Sequence, residues 1–146
     1  MASLSRFLIL GCVALIPLFA AAQANRRQSV AETLRASKWQ KRLVLLYAPT
    51  ADNAEFKAQQ ALLAKDPAAL QERDIQVLKL EADQLSAADK QYLQQQLKVA
   101  PDQFAVLLLG KDGGVKLRQT EALTTQQLFG TIDTMPMRQQ EMGRKQ

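Results

Sequence analysis

Lys41-Arg42-Leu43-Val44-Leu45-Leu46-Tyr47-Ala48-Pro49 is the stretch whose reading decides the fold. Leu43 to Tyr47 is apolar without interruption and of strand length, and Pro49, which cannot donate to a ladder, closes it. A strand with one wet face alternates apolar and polar residues. A continuous run predicts a strand covered on both faces, as in a sheet held between helices.

Working downstream, Asp52 to Lys65 reads as a helix. Asp52 is its expected N-cap, Glu55 sits in its first turn, and Phe56 and Leu63 lie one heptad apart on one face. Pro67 and Arg73-Asp74 fall in the connection that follows. Ile75, Val77, Leu78 and Leu80 predict a second strand. Ser86 and Asp89 have capping-box spacing, and Tyr92, Leu93 and Leu97 form the apolar stripe of the helix they open. Phe104 to Leu109, after Pro101, is again continuous and predicts a third buried strand. Gly110-Lys111-Asp112-Gly113-Gly114 is a hairpin signal, because Asp-Gly supplies the positive φ of a tight turn. Val115 and Leu117 alternate with Lys116 and Arg118, as in an edge strand. Thr124 and Gln127 form another capping box, Leu123 can staple onto Leu128, and Leu128, Ile132 and Met135 continue the helix. Pro136 breaks or kinks it, leaving Met137 to Gln146 as a short, charged, frayed end. Upstream, Asn25 to Gln40 is polar and partly helical; Ser29 and Glu32 have capping-box spacing, and Val30, Leu34 and Trp39 are available for docking.

The expected order is β-α-β-α-β-β-α. Helical crossovers make the first two strands parallel and right-handed, and the tight turn makes the last two antiparallel. Periodicity does not orient the third strand against the first. This is an α/β three-layer sandwich in the minimal thioredoxin-like order, with another small α/β topology as the alternative.

The chain has 146 residues, one cysteine, no histidine and a formal net charge of +5, enough for one domain. Met1 to Ala24 combines Arg6, an apolar run from Phe7 to Phe19, and Ala22-Gln23-Ala24 as a cleavage pattern. This is the layout of a secretory signal, with cleavage expected after Ala24, a polar N-terminal segment at 25–36 and the single domain at 37–144. The rivals are a retained anchor and a lipoprotein signal at Cys12; Pro17 and the alanines argue against the first, and the run past Cys12 against the second. Cleavage would remove Cys12, the one thiol. Disulfides, Cys/His zinc sites, cysteine nucleophiles and histidine bases are then excluded. The basic residues are dispersed and lack interleaved aromatics, so no nucleic-acid partner is expected, and no membrane span remains after cleavage.

Several stretches carry a family resemblance: Lys41 to Pro49, Glu72-Arg73-Asp74, Leu109 to Arg118, and Ile132 to Met142. Together they resemble the bacterial domain of unknown function DUF 4174, over about 37–144. The resemblance implies a thioredoxin-like fold and kinship with a domain of the extracellular proteins Equarin and the sushi-repeat-containing proteins. It implies no catalytic residues. A thioredoxin-type enzyme places Cys-x-x-Cys after the first strand, where the helix N-terminus lowers the thiol pKa. Pro49-Thr50-Ala51-Asp52-Asn53 stands there without sulfur. Pro101 lies near the place of that fold's cis-proline, with Asp102 and Gln103 intervening before the apolar run.

No cofactor is implied and no metal site is assigned. Asp52, Glu81 and Asp83 would be the oxygen ligands of a divalent cation if the chain were a carboxylate enzyme. Lys111-Asp112-Gly113-Gly114 lacks the spaced glycines and following helix of a phosphate loop. Arg118, Asp133, Arg138 and Glu141 are expected to form one charged network around the Pro136 break, or to line a partner surface. The edge from Val115 to Arg118, with Lys116, is a place for an added strand. The candidate residues are therefore Asp52, Lys111, Asp112, Lys116, Arg118, Asp133, Arg138 and Glu141. The leading expectation is a periplasmic or secreted binding or accessory module with an envelope or extracellular protein partner. The alternatives are the carboxylate enzyme and a purely structural envelope protein.

Overall fold

The computed structural model describes residues 28–144. The expected signal at 1–24 lies outside the described residues. The decisive run forms β1, Arg42–Ala48, and all seven of its residues are buried. It runs parallel to β2, Ile75–Glu81, with Leu45 opposite Leu78. On its other side it is antiparallel to β3, Ala105–Leu109, with Leu45 opposite Leu107. β4, Val115–Gln119, pairs antiparallel with β3, giving the order β2-β1-β3-β4. The direction of the third strand, open in the sequence, is thus antiparallel to the first.

Six α-helices accompany this mixed sheet among the described residues. Alternate residues of β1 and β3 feed two separate cores. Leu43, Leu45, Tyr47, Leu107 and Leu109 pack with Val30 and Leu34 of α1, Val30–Ser37, and with Leu93 of α4, Ala87–Gln95. Val44, Leu46, Val106 and Leu108 pack with Phe56 and Leu63 of α2, Ala54–Leu63, and with Leu128 and Ile132 of α5, Thr125–Asp133. Burial of each such leucine contributes about 1.5–3 kcal/mol, so the central strands anchor the fold. The capping boxes at Ser29/Glu32 and Thr124/Gln127 are both formed. Asp89 does more than support its own helix: its carboxylate accepts the Val30 amide at 2.8 Å, so α4 holds the start of α1.

Several local expectations are corrected. The cap of α2 is Asn53, whose side chain accepts from the Phe56 amide, not Asp52. The connection before β2 contains α3, Pro67–Glu72, capped by Asp66 with Pro67 in its first turn, a pairing favoured because proline's missing N–H is not needed there. Trp39 does not dock; it is exposed with φ 65°. The peptide bond before Pro101 is trans. The segment after Met135 is no frayed end: α6, Pro136–Gly143, packs with Arg138 fully buried.

Candidate functional site

The end of the sheet where β1 and β2 begin and β3 turns into β4 is held by ion pairs. Arg42, the first residue of β1, is 1% exposed. Its two terminal nitrogens donate to both carboxylate oxygens of Glu141 at 3.1 and 3.2 Å, and one also donates to the Arg73 carbonyl. Lys111, in the β3–β4 turn, reaches Glu141 at 2.7 Å and Asp74 at 2.8 Å. Arg138 binds Glu72 at 2.6 Å and Asp133 at 3.1 Å. Arg73 also grips Asp133 and stacks over the Phe129 ring at 4.5 Å. Lys41 completes the group through Asp74.

The charges respond to one another. Burial alone would raise the Glu141 carboxyl, but hydrogen bonds from Arg42 and Lys111 outweigh it and hold it below the ordinary range. Asp133 behaves alike, with Arg73 and Arg138 overcoming burial. A hydrogen bond from Lys111 leads the lowering of Asp74. Burial opposes the Lys111 ammonium, yet Asp74 and Glu141 lift its pKa above the usual value.

Above this network lies a cavity of about 250 Å³, between the β3–β4 turn and the α5–α6 junction. Met135, Pro136 and Met137 supply one wall, and Gly110, Lys111, Asp112 and Lys116 the other, with Arg42 also lining it. The turn is built for this. Gly113 takes φ 83°, and the Gly110 amide donates to the Gly114 carbonyl at 2.9 Å. A Cβ on Gly110 would stand 2.7 Å from both Lys116 Cε and Asp112 Oδ1. Lys116 is thereby free to close onto Asp112 at 2.7 Å. A larger groove of about 800 Å³ runs beside β2, from Ser29 and Thr33 to Leu85 and Asp89. There Asp89 is consumed by Ser86 and Val30. Arg42 Nε is buried and has no hydrogen-bond partner among the described residues.

The large apolar side chains that stay exposed among the described residues are Trp39, Val115 and Met137. All three come to this same end. The Trp39 amide donates to the Lys111 carbonyl at 2.6 Å, Val115 opens β4 just after the turn, and Met137 lines the cavity.

Of the residues singled out in the sequence, Lys111, Asp112 and Lys116 line the cavity, and Asp133, Arg138 and Glu141 join the ion-pair network. Arg118 does not join it; its guanidinium donates to the Lys98 carbonyl. Asp52 pairs with Lys57 in solvent. Asp52, Glu81 and Asp83 do not converge: no three Asp or Glu residues gather to hold a metal ion among the described residues. Arg42, Glu72, Arg73, Asp74 and Trp39 were not singled out as site residues. The one signal available for Arg42 was a cation placed directly before a fully apolar strand.

Residues 33–141 match the family described as a domain of unknown function, DUF4174. The chain belongs to that family. The DUF4174 match starts within α1 and ends at Glu141, so it takes in the sheet and the whole ion-pair network. The chain is also similar to Coiled-coil domain-containing protein 80 of Danio rerio, at 25% identity over 146 residues. That alignment covers 84% of this chain and 17% of the relative, so the chain corresponds to a small part of a much longer protein. No described helix is long and apolar enough to cross a membrane.

Proposed function

We propose that this DUF4174 chain is an exported, thioredoxin-like module without redox chemistry, which binds a protein partner in the cell envelope or outside the cell through the turn end of its sheet. The thioredoxin-like reading is supported by a parallel β1–β2 pair, two antiparallel pairs, and helices on both faces. Pro49 to Asn53, after β1, offers no sulfur to such a scaffold. Export is supported by the Arg6, apolar run and Ala22-Gln23-Ala24 pattern.

The observation that carries the binding reading is the gathering of Trp39, Val115 and Met137 at one end. Exposed apolar side chains scattered singly need no explanation, but a group of them rimmed by charges marks a contact surface. Lys111, Asp112 and Lys116 line the cavity beside Met137. The test places a photo-crosslinking residue at position 137 in the exported protein. A discrete adduct that disappears with Trp39→Ser supports the reading; labelling indifferent to Trp39 removes it. Intact mass of the exported chain tests the rest: an N-terminus at Asn25 is expected, and retention of Met1 to Ala24 would sink the export reading.

A further inference from the structure

We propose that a basic cleft between α1, the end of α4 and the β3–β4 turn binds a doubly charged phosphate group. The cleft measures about 200 Å³ and is lined by Leu34, Arg35 and Lys38 on the α1 side, Tyr92 and Leu97 on the α4 side, and Gly113 in the turn. No acidic residue lines it. Neither Trp39, Val115 nor Met137 lines it, so it is separate from the apolar contact surface.

Its cations are unspent. Arg42, Lys111 and Lys116, around the Met137 cavity, all end on carboxylates. Arg35 and Lys38 are exposed and form no ion pair among the described residues. Nor are they used to close the end of α1: the Arg35 carbonyl accepts from the Lys38 amide, and the Ser37 carbonyl from the Gln40 and Lys41 amides. The turn places Lys38. Gly113 has φ 83°, and a Cβ there would stand 2.6 Å from Lys38 Cε and 3.3 Å from its Cγ. Glycine therefore lets the lysine stem lie against the turn, beside the cleft. Asp112, the residue before Gly113, is held by Lys116 and the Gly114 amide.

Two further cations stand at the edge. Arg118 lies opposite Leu107, and cross-strand partners share a face. Leu107 belongs to the core under α1 and α4, so Arg118 is on that side of the sheet. Its guanidinium donates to the Lys98 carbonyl at 3.1 Å, next to Leu97. Pockets for drug-sized molecules run to roughly 300–1,000 Å³, so this smaller cleft takes a small group. A carboxylate would bring a single charge to these cations. A phosphate monoester brings about −1.5 to −2 at pH 7, with three strong acceptor oxygens. An arginine fork with a lysine point charge beside it suits such an anion. Leu34, Leu97 and Tyr92 give the carbon part of an ester an apolar side to rest on. Free phosphate and a small phosphate ester offer the same anionic group.

The experiment titrates the chain with glycerol 3-phosphate, inorganic phosphate and acetate at constant ionic strength. The readouts are the Gly113 amide and Arg35 Nε–H resonances. Both phosphates should shift both signals saturably and bind at least tenfold tighter than acetate. Whichever phosphate binds more tightly identifies the source, an ester or the free ion. Glycerol 3-phosphate should bind several-fold more weakly at pH 5 than at pH 7.5, because its second proton returns at a pH of about 6. Arg35→Gln combined with Lys38→Gln, at exposed positions that leave the core intact, should lower the affinity at least tenfold. Lys65→Gln, an exposed lysine past the end of α2 on the other face of the sheet, should leave it within twofold. Equal weakening by Lys65→Gln, or acetate binding as tightly as the phosphates, overturns the inference. So does a Gly113 amide that neither phosphate moves. Position 137 does not line the cleft, so its crosslink tests the partner reading apart from this one.

Discussion

At the scale of single residues, the molecule separates charges that hold structure from charges that decorate it. Lys57 and Asp52 form a 2.8 Å pair, yet their side chains are 60% and 93% exposed, so water and salt screen the attraction. Lys57→Ala should leave the urea midpoint unmoved. Arg138 lies at the opposite extreme, buried between Glu72 and Asp133. Removing one partner of a buried pair costs about 3–5 kcal/mol because the other charge is stranded. Glu72 and Asp133 are partly solvated, which puts Arg138→Ala at the lower end, about 3 kcal/mol by urea unfolding. Gly113 carries a different burden. Its φ of 83° is free for glycine and strained for any L side chain, and the new Cβ would stand 2.6 Å from Lys38 Cε. Gly113→Ala should cost about 1–2 kcal/mol in the same assay. Gln59 is a quieter case: fully buried, it pairs its amide with both backbone groups of Leu123, a role no hydropathy pattern announces.

At the scale of elements, what was legible in the sequence followed from periodicity. β1 and β3 read as continuous apolar runs because both faces are covered, and both are buried throughout. α4 and α5 were legible from their caps and apolar stripes. α3 has no fully buried residue and so shows no apolar stripe in the sequence; only Asp66-Pro67 announces it. In the sequence α6 looks like a frayed tail, because what docks it is charge. Arg138 meets Glu72, 66 positions away, and Glu141 meets Arg42, 99 positions away, and such pairs leave no local trace. The docking of α6 should therefore depend on pH. Glu141, Asp133 and Asp74 all have folded pKa values below their unfolded ones. Each contributes its stability fully above the ordinary carboxylate range, ~4, and loses it as pH falls through the lowered folded value. Urea midpoints should agree at pH 7 and 5 and drop at pH 3, and Glu141→Gln should flatten part of that drop. Lys111 runs the other way: its raised pKa keeps its contribution intact below the usual lysine range, ~10.4, so no loss is expected between pH 7 and 9. A midpoint that falls between pH 7 and 5 would disconnect α6 from these carboxylates.

At the scale of the whole molecule, the sheet has two ends with different chemistry. In open α/β sheets ligands usually gather at the carboxyl ends of parallel strands. Here that end of β1 leads into Pro49 to Asn53, and the Tyr47 hydroxyl is committed to the Pro101 carbonyl at 2.8 Å. The cavity and the exposed apolar side chains fall at the other end, where β1 starts. Variants at the two ends should therefore behave differently. Thr50→Ala and Asp52→Ala touch no buried group and should change neither the urea midpoint nor partner recovery. Trp39→Ser and Met137→Ser should also leave the midpoint unchanged, because both side chains are exposed and give up little packing. Partner recovery should nevertheless fall. A tryptophan at the centre of an interface is commonly worth 2 kcal/mol or more, which is roughly a thirtyfold loss of affinity for Trp39→Ser. Quantitative recovery of the crosslinked adduct, normalised to folded protein, measures it. Loss of recovery on changing Thr50 or Asp52, with Trp39 and Met137 variants unaffected, would move the binding face to the carboxyl end of β1. It would return the scaffold to the site its topology usually favours.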